Sequence, residues 1–328
     1  MGVRGMSTLC RIARALAGLV LVSGCLSLTT CGTALLDLVA FQVLADEEAM
    51  LYMGCETDGY GIARIGLSTG ALEILRRTVS PDNTSGCPVA IDPVPITEAV
   101  PYTKLYFAVE SPNQVMQMDY RAMDPAVKVF ATDQTTATDC IRVMANAASI
   151  YWSTRTSIHR GTLLDGGAAP LLLPISIVTS FDVDAATERI YYLGLKTASY
   201  LEDFSVWGVD AGGSNEAQIS KIGRYVISNL LLVNGDLYYV TQNPHGLWRI
   251  KANPPDLAPT LLLTPVGQPW AIAVDPVDRT LYWVEGDANV NWRVMRAAAG
   301  ASAGTPVREY IDEVDPNGFF FYRPAYHP

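Results

Sequence analysis

Six times along the chain a Leu or Ile precedes a Tyr inside an apolar run: Leu51-Tyr52, Leu105-Tyr106, Ile150-Tyr151, Ile190-Tyr191, Leu237-Tyr238 and Leu281-Tyr282. Successive tyrosines stand 54, 45, 40, 47 and 44 residues apart. A period in the low to middle forties belongs to four-stranded blades rather than to helical arrays. A single unit of this kind cannot bury both of its faces, so its copies must stack. Closing the stack into a ring removes its free ends.

The last copy shows why the period means strands. Ala271-Ile272-Ala273-Val274 is a short apolar run closed by Asp275-Pro276-Val277-Asp278, whose Asp and Pro suit a tight turn. Leu281-Tyr282-Trp283-Val284 follows, aromatic and branched as a packed strand should be. A third segment surrounds Trp292-Arg293-Val294-Met295, and a fourth is Pro306-Val307-Arg308-Glu309-Tyr310. The other copies keep this order, for example with third segments Ile62-Ala63-Arg64-Ile65, Val206-Trp207-Gly208-Val209 and Leu247-Trp248-Arg249-Ile250. The pattern predicts an all-β chain, a six-bladed β-propeller with four antiparallel strands per blade, whose copies run from about residue 38 to 311. The aromatic tail Phe319-Phe320-Phe321-Tyr322 reads as the opening of a further repeat that stops short, and is expected to pack on the first or sixth blade and lock the ring.

Val274-Asp275-Pro276 through Leu281-Tyr282-Trp283 to Val294-Met295-Arg296 resembles a repeat of the six-bladed propellers named for Tyr-Trp-Thr-Asp, the LDL-receptor-like type, and of bacterial lipoproteins with a similar repeat. The likeness covers nearly the whole chain after its N-terminal segment, and the last copy spells it best. The acidic fourth letter survives only as Glu285; the other copies carry Cys55, Val109, Thr154, Gly194 and Thr241 there. A function that needs that acid in several blades is therefore not expected.

The N-terminus has the layout of a secretory signal: Arg4, Arg11 and Arg14 precede Ala15-Leu16-Ala17-Gly18-Leu19-Val20-Leu21-Val22, a run too short to span a bilayer. It ends in Val22-Ser23-Gly24-Cys25, which resembles a bacterial lipobox. The expected organisation is a lipoprotein signal peptide over 1–24, a tether over 25–37 and the propeller domain over 38–328, with Cys25 lipidated. Each buried methylene of an acyl chain contributes about 0.8 kcal/mol, so several chains make attachment stable. Leu26 after the cysteine favours the outer membrane by the lipoprotein sorting pattern.

Export permits disulfides. Once Cys10 and Cys25 are set aside, Cys31, Cys55, Cys87 and Cys140 are left. In the expected register Cys55 ends the second strand of the first blade and Cys87 opens the next blade, so these two are the favoured pair, with Cys87 and Cys140 the rival.

Removing the three signal arginines takes the net charge from −10 to −13, and no basic stripe is present to bind a polyanion, so nucleic acid is not an expected partner. Ligands of propellers meet the channel mouth, where innermost strands begin. Counting back from each first strand nominates Asp139, Ser180 beside Thr179, Asn229 beside Ser228, and Gln268 as binding residues. These are small and polar, suited to hydrogen-bonding a polar ligand, and a single acid among them does not make a calcium site. The three histidines, His159, His245 and His327, show no converging spacing. Asp182-Val183-Asp184 lacks the glycine and glutamate of a calcium loop and reads as a turn. No cofactor or metal is called for. The expected role is noncatalytic recognition of a protein or glycan by a membrane-tethered envelope protein, the alternative being a lactonase-like propeller hydrolase or lyase acting in the channel.

Overall fold

A strand that is apolar on both faces must lie between two layers, and the second strand of each repeat is such a strand. The computed structural model describes residues 50–56, 60–77, 89–91, 104–110, 113–119, 127–131, 138–144, 149–154, 156–162, 171–175, 177–184, 186–195, 204–222, 230–252, 258–287, 290–308 and 315–322. All belong to one compact unit, Glu47–Pro328. The expected signal and tether, with Cys25, lie outside the described residues, as do Cys87 and Asn229.

The first sheet holds β1 (Met50–Glu56), β2 (Tyr60–Gly66) and β3 (Leu72–Arg77), and the second β4 (Val89–Ile91), β5 (Lys104–Glu110), β6 (Asn113–Asp119) and β7 (Val127–Ala131). The third comprises β8 (Thr138–Met144), β9 (Ser149–Thr154), β10 (Ser157–Thr162) and β11 (Leu171–Pro174). The fourth comprises β12 (Ile177–Val183), β13 (Arg189–Leu195), β14 (Ser205–Asp210) and β15 (Ala217–Lys221). The fifth runs β16 (Leu231–Val233), β17 (Asp236–Gln242), β18 (His245–Lys251) and β19 (Thr260–Leu263); the sixth runs β20 (Gln268–Val274), β21 (Leu281–Asp287), β22 (Val290–Ala297) and β23 (Thr305–Arg308). The last strand, β24 (Asp315–Tyr322), returns to the first sheet, whose order is β24-β1-β2-β3. The described strands thus form six four-stranded sheets, and all of their strand pairs are antiparallel.

The innermost strands meet in succession: β4 adjoins β8, β8 adjoins β12, β12 adjoins β16, β16 adjoins β20, β20 adjoins β24, and β24 adjoins β4. The aromatic tail therefore occupies the inner place of the first sheet, with Phe320 opposite Tyr52 and Phe321 opposite Leu51. The first copy is completed by residues from the far end of the chain rather than by a strand starting near residue 38. Backbone hydrogen bonds between the two ends then hold the ring shut.

The seams explain the repeat. Tyr151 and Trp152 are adjacent and both buried, as are Tyr191 and Tyr192, Tyr238 and Tyr239, and Tyr282 and Trp283. Because successive side chains leave a strand on opposite faces, one member of each pair faces the next sheet and the other the previous one. Tyr151 shares a core with Phe181 and Tyr192 of the fourth sheet, Tyr191 with Tyr239 of the fifth, and Tyr238 with Trp283 of the sixth. Tyr282 shares its core with Ile65 and Leu67 of the first sheet, which closes the circuit through side chains as well as backbone.

Candidate functional site

The mouth of the channel is set by a bulge that recurs near the start of the inner strands. In β8 Thr138 pairs with Thr154 and Cys140 with Ser153, which leaves Asp139 as the extra residue. In β12 Val178 pairs with Gly194 and Ser180 with Leu193, which leaves Thr179; in β20 Pro269 pairs with Glu285 and Ala271 with Val284, which leaves Trp270. Gly318 takes the same part in β24. Each bulge twists the strand end and re-aims the residue it inserts.

Of the sequence-nominated residues, Asp139 sits at the bulge itself. Ser180 lies one residue past its bulge, and Gln268 lies two before Trp270 at the start of β20. Asn229 falls outside the described residues. The register brings Thr179 and Trp270 into the positions equivalent to Asp139. Trp270 was not among the nominated residues, yet a signal for it exists: Thr179 and Trp270 each stand five residues before a turn aspartate, Asp184 and Asp275.

Those two aspartates build the same turn. The Asp184 carboxylate accepts the Ala186 N–H at 2.9 Å and its carbonyl accepts the Glu188 N–H at 2.8 Å, with Glu188 at φ 54°. The Asp275 carboxylate accepts the Val277 N–H at 2.8 Å and its carbonyl accepts Arg279 N–H at 3.0 Å, with Arg279 at φ 64°. The Asp182-Val183-Asp184 stretch is thus the end of a strand and a turn, as its sequence implies.

Polar side chains on β12 are employed in holding the ring. Ser180, buried, accepts the Leu230 N–H at 2.9 Å, and Asp182 accepts the Leu232 N–H at 2.7 Å. Both bonds cross from the fourth sheet to the fifth, and they satisfy N–H groups beside and within β16, a strand of only three residues. At the turn after β20, Arg279 of the sixth sheet donates to the Tyr238 hydroxyl at 2.9 Å and to Asp236 at 3.4 Å, both in the fifth.

The fourth letter of the repeat is a structural hub wherever its side chain is described and polar. Glu285, 1% exposed, accepts hydrogen bonds from Trp283 Nε1 at 2.7 Å and from Arg293 Nε and Nη2 at 2.8 and 2.5 Å. Thr241 accepts from Trp248 Nε1 at 2.9 Å and donates to the Pro244 carbonyl at 2.6 Å. Thr154 exchanges a 2.6 Å hydrogen bond with Ser157, whose hydroxyl also meets His159 Nε2 at 2.7 Å. His159 lies flat on Trp152, with ring centroids 5.6 Å apart. His245 opens β18 after the Asn243-Pro244 turn, where it pairs with Gln242.

Four tyrosines of the seams hold their protons more tightly than a free phenol. Burial raises Tyr192 and Tyr239 far above the ordinary 10.0, and it raises Tyr151 and Tyr191 as well. In the latter two a nearby arginine, Arg160 and Arg189 respectively, pulls the other way. Each is a neutral packing element whose ionisation the core opposes.

Cys55 lies in β1, opposite Gly61 and Pro316, and Cys140 in β8, opposite Ser153. Among the described residues no group of three or more His, Cys, Asp or Glu is placed to hold a metal ion. Among the same residues no helix is long and apolar enough to cross a membrane.

No protein-family description matches the sequence, and no curated protein matches it. Solved structures do match in shape. A chain of the nidogen/laminin complex superposes with a TM-score of 0.64 at 12% identity, over 83% of this chain and 98% of that one. A protein assigned as TolB from Agrobacterium tumefaciens gives 0.61 at 12%, over 84% and 97%. TolB from Acinetobacter baumannii gives 0.66 at 8%, over 84% of this chain and 67% of the other. At such identities shape alone is shared, and the shape is that of a β-propeller.

Proposed function

We propose that this chain is a lipid-anchored, six-bladed propeller of the bacterial cell envelope that recognises a protein or a glycan at the mouth of its channel without catalysing a reaction. The observation that carries the proposal is the employment of reactive side chains among the described residues. Asp182 and Ser180 tie one sheet to the next, Glu285 is engaged by Trp283 and Arg293, and His159 is stacked on Trp152 and bonded to Ser157. Acid-base chemistry needs such groups free to exchange protons with a substrate, whereas recognition needs only a shaped rim on a rigid ring. The nidogen/laminin complex shows a propeller of similar shape within a protein assembly, which supports surface recognition as a use of the fold.

Asp139, Ser180, Asn229 and Gln268 remain the nominated binding residues, with Ser180 acting through the position of β16. Lipidation at Cys25, an outer-membrane address and a Cys55–Cys87 disulfide belong to the same proposal. Replacing Cys25→Ser is expected to move the protein from membrane to soluble fractions, and unchanged attachment would refute the anchor. Peptide mapping before and after reduction reads the disulfide; linkage of any other pair removes it. Native mass spectrometry of the chain isolated from envelope extract tests the role itself. Retention of a protein or sugar is expected, and a stoichiometric metal or a substrate turned over to product would overturn the noncatalytic assignment.

A further inference from the structure

Ser180 and Asp182 of β12 are committed to the ring, but the pair that opens β20 is not. Gln268 and Trp270 are half-buried, and neither the Gln268 amide nor the Trp270 indole N–H has a hydrogen-bond partner among the described residues. They flank Pro269, at the end of the sixth sheet's inner strand where the bulge lies. Asp139 and Thr179 hold the equivalent bulges in the third and fourth sheets, and so stand at the same end of the channel.

Trp270 is held in place rather than loosely exposed. Trp292 meets it edge-on, with ring centroids 5.4 Å apart and planes at 81°. Trp292 is itself buried and occupies room that only a glycine leaves, since a Cβ on Gly286 would lie 2.6 Å from its Cε3 atom. Gly286 stands opposite Gln268 across the β20–β21 pair. One hairpin therefore braces one indole, which braces the second, and the second is the one at the mouth. Such bracing removes the ordering cost that a free side chain would bring to binding.

An indole with a partly open surface asks for an apolar face to cover it. An amide two residues before it on the same strand end, able to donate and to accept, asks for hydroxyls. A net charge of −10 over the chain disfavours an anionic partner. A pyranose ring with no acidic groups meets all three demands, since it offers a C–H face and hydroxyls around its edge. We propose that Gln268 and Trp270 form a subsite for an uncharged glycan at the rim of the sixth sheet. This deepens the recognition role proposed above and rests on it.

The test uses the full chain, with chitohexaose, maltohexaose and cellohexaose as uncharged probes and polygalacturonate as the anionic comparator. Binding is read by tryptophan fluorescence and calorimetry. At least one uncharged oligosaccharide is expected to bind while the polyanion does not. Trp270→Ala is expected to weaken that binding by about tenfold or more, about 1.4 kcal/mol, with Trp270→Phe between the two. Gln268→Leu, a change at a half-exposed position, is expected to weaken binding with no shift of the thermal midpoint, so the subsite remains testable even if Trp270→Ala fails to fold. Parent-like affinity in Gln268→Leu and Trp270→Phe together, preference for the polyanion, or binding of none of the three sugars overturns the subsite. If no sugar binds but native mass spectrometry retains a protein, only the glycan subsite falls; if neither is retained, recognition falls with it.

Discussion

Glu285 is the residue at which sequence logic and energetics can be separated most cleanly. It is the acid surviving at the fourth letter of the repeat, it is 1% exposed, and three N–H groups converge on it from Trp283 and Arg293. Glu285→Gln preserves shape but removes the charge and turns one end of the side chain into a donor, which must then face another donor. A hydrogen bond to a charged group contributes about 1.5–3 kcal/mol, and a buried group left unsatisfied costs about 1–3 kcal/mol. The Arg293 side chain is 37% exposed and can recover part of its hydration, which keeps the loss below the full cost of orphaning a buried ion. The expected destabilisation is about 2–4 kcal/mol, read as a lower urea midpoint at unchanged slope. In a double-mutant cycle with Arg293→Gln, a coupling of about 1 kcal/mol or more is expected, because the two side chains share hydrogen bonds. A change within about 0.5 kcal/mol of the parent, the range of an ordinary surface substitution, would refute the assignment of Glu285 as a structural hub.

Ser180→Ala and Asp182→Ala should each cost about 1–3 kcal/mol by leaving the N–H of Leu230 or Leu232 without its acceptor. Hydrogen exchange at those two amides should accelerate, and unchanged protection would count against the stitch between the fourth and fifth sheets. Stability should fall as pH rises above 10.0, because unfolded tyrosines release their protons there while Tyr192 and Tyr239 hold theirs to higher pH. The contribution is fully present below 10.0, and a 295 nm titration in which all tyrosines ionise together near that value in the folded protein would contradict it. Deleting 315–328 should expose the inner edge of β1 and produce association beyond the parent's own state, with a peptide of residues 315–322 restoring that state; a deleted chain that keeps the parent's state and midpoint would disprove closure by β24.

The architecture was legible because burial on both faces leaves a mark that survives sequence drift. Tyr151 and Trp152 must both be large and apolar if sheets pack against each side of β9, and the same demand falls on Tyr191 with Tyr192 and on Tyr282 with Trp283. The acid at the fourth letter carries no such demand. Thr154 and Thr241 serve the hairpin with hydroxyls that reach Ser157 and the Pro244 carbonyl, so the letter changed while the position kept its task. The tail was readable as a strand from Phe319-Phe320-Phe321-Tyr322. Its placement on the first sheet rather than the sixth depends on backbone pairing that no side-chain pattern encodes.

The site was harder to see for a related reason. A side chain's face is fixed by counting in twos along a strand, and a single bulge shifts the count by one. Counting back from apolar runs alone chose Ser180 beside Thr179 without telling which holds the bulge, Ser180 proving to be bonded to Leu230, and stopped at Gln268, two residues short of Trp270. Counting instead from the turn aspartates, which the chain fixes twice over by the same Asx hydrogen bond, passes through the bulge correctly and selects Thr179 and Trp270. The turn is the better ruler because its geometry is local, whereas the apolar run tolerates an inserted residue at its open end. Among the described residues, the bulge positions at the channel mouth are therefore not all small and polar. Around it stand Asp139, Thr179, Trp270 and Gly318 in equivalent places, a chemical variety in keeping with the proposed recognition of one shaped ligand.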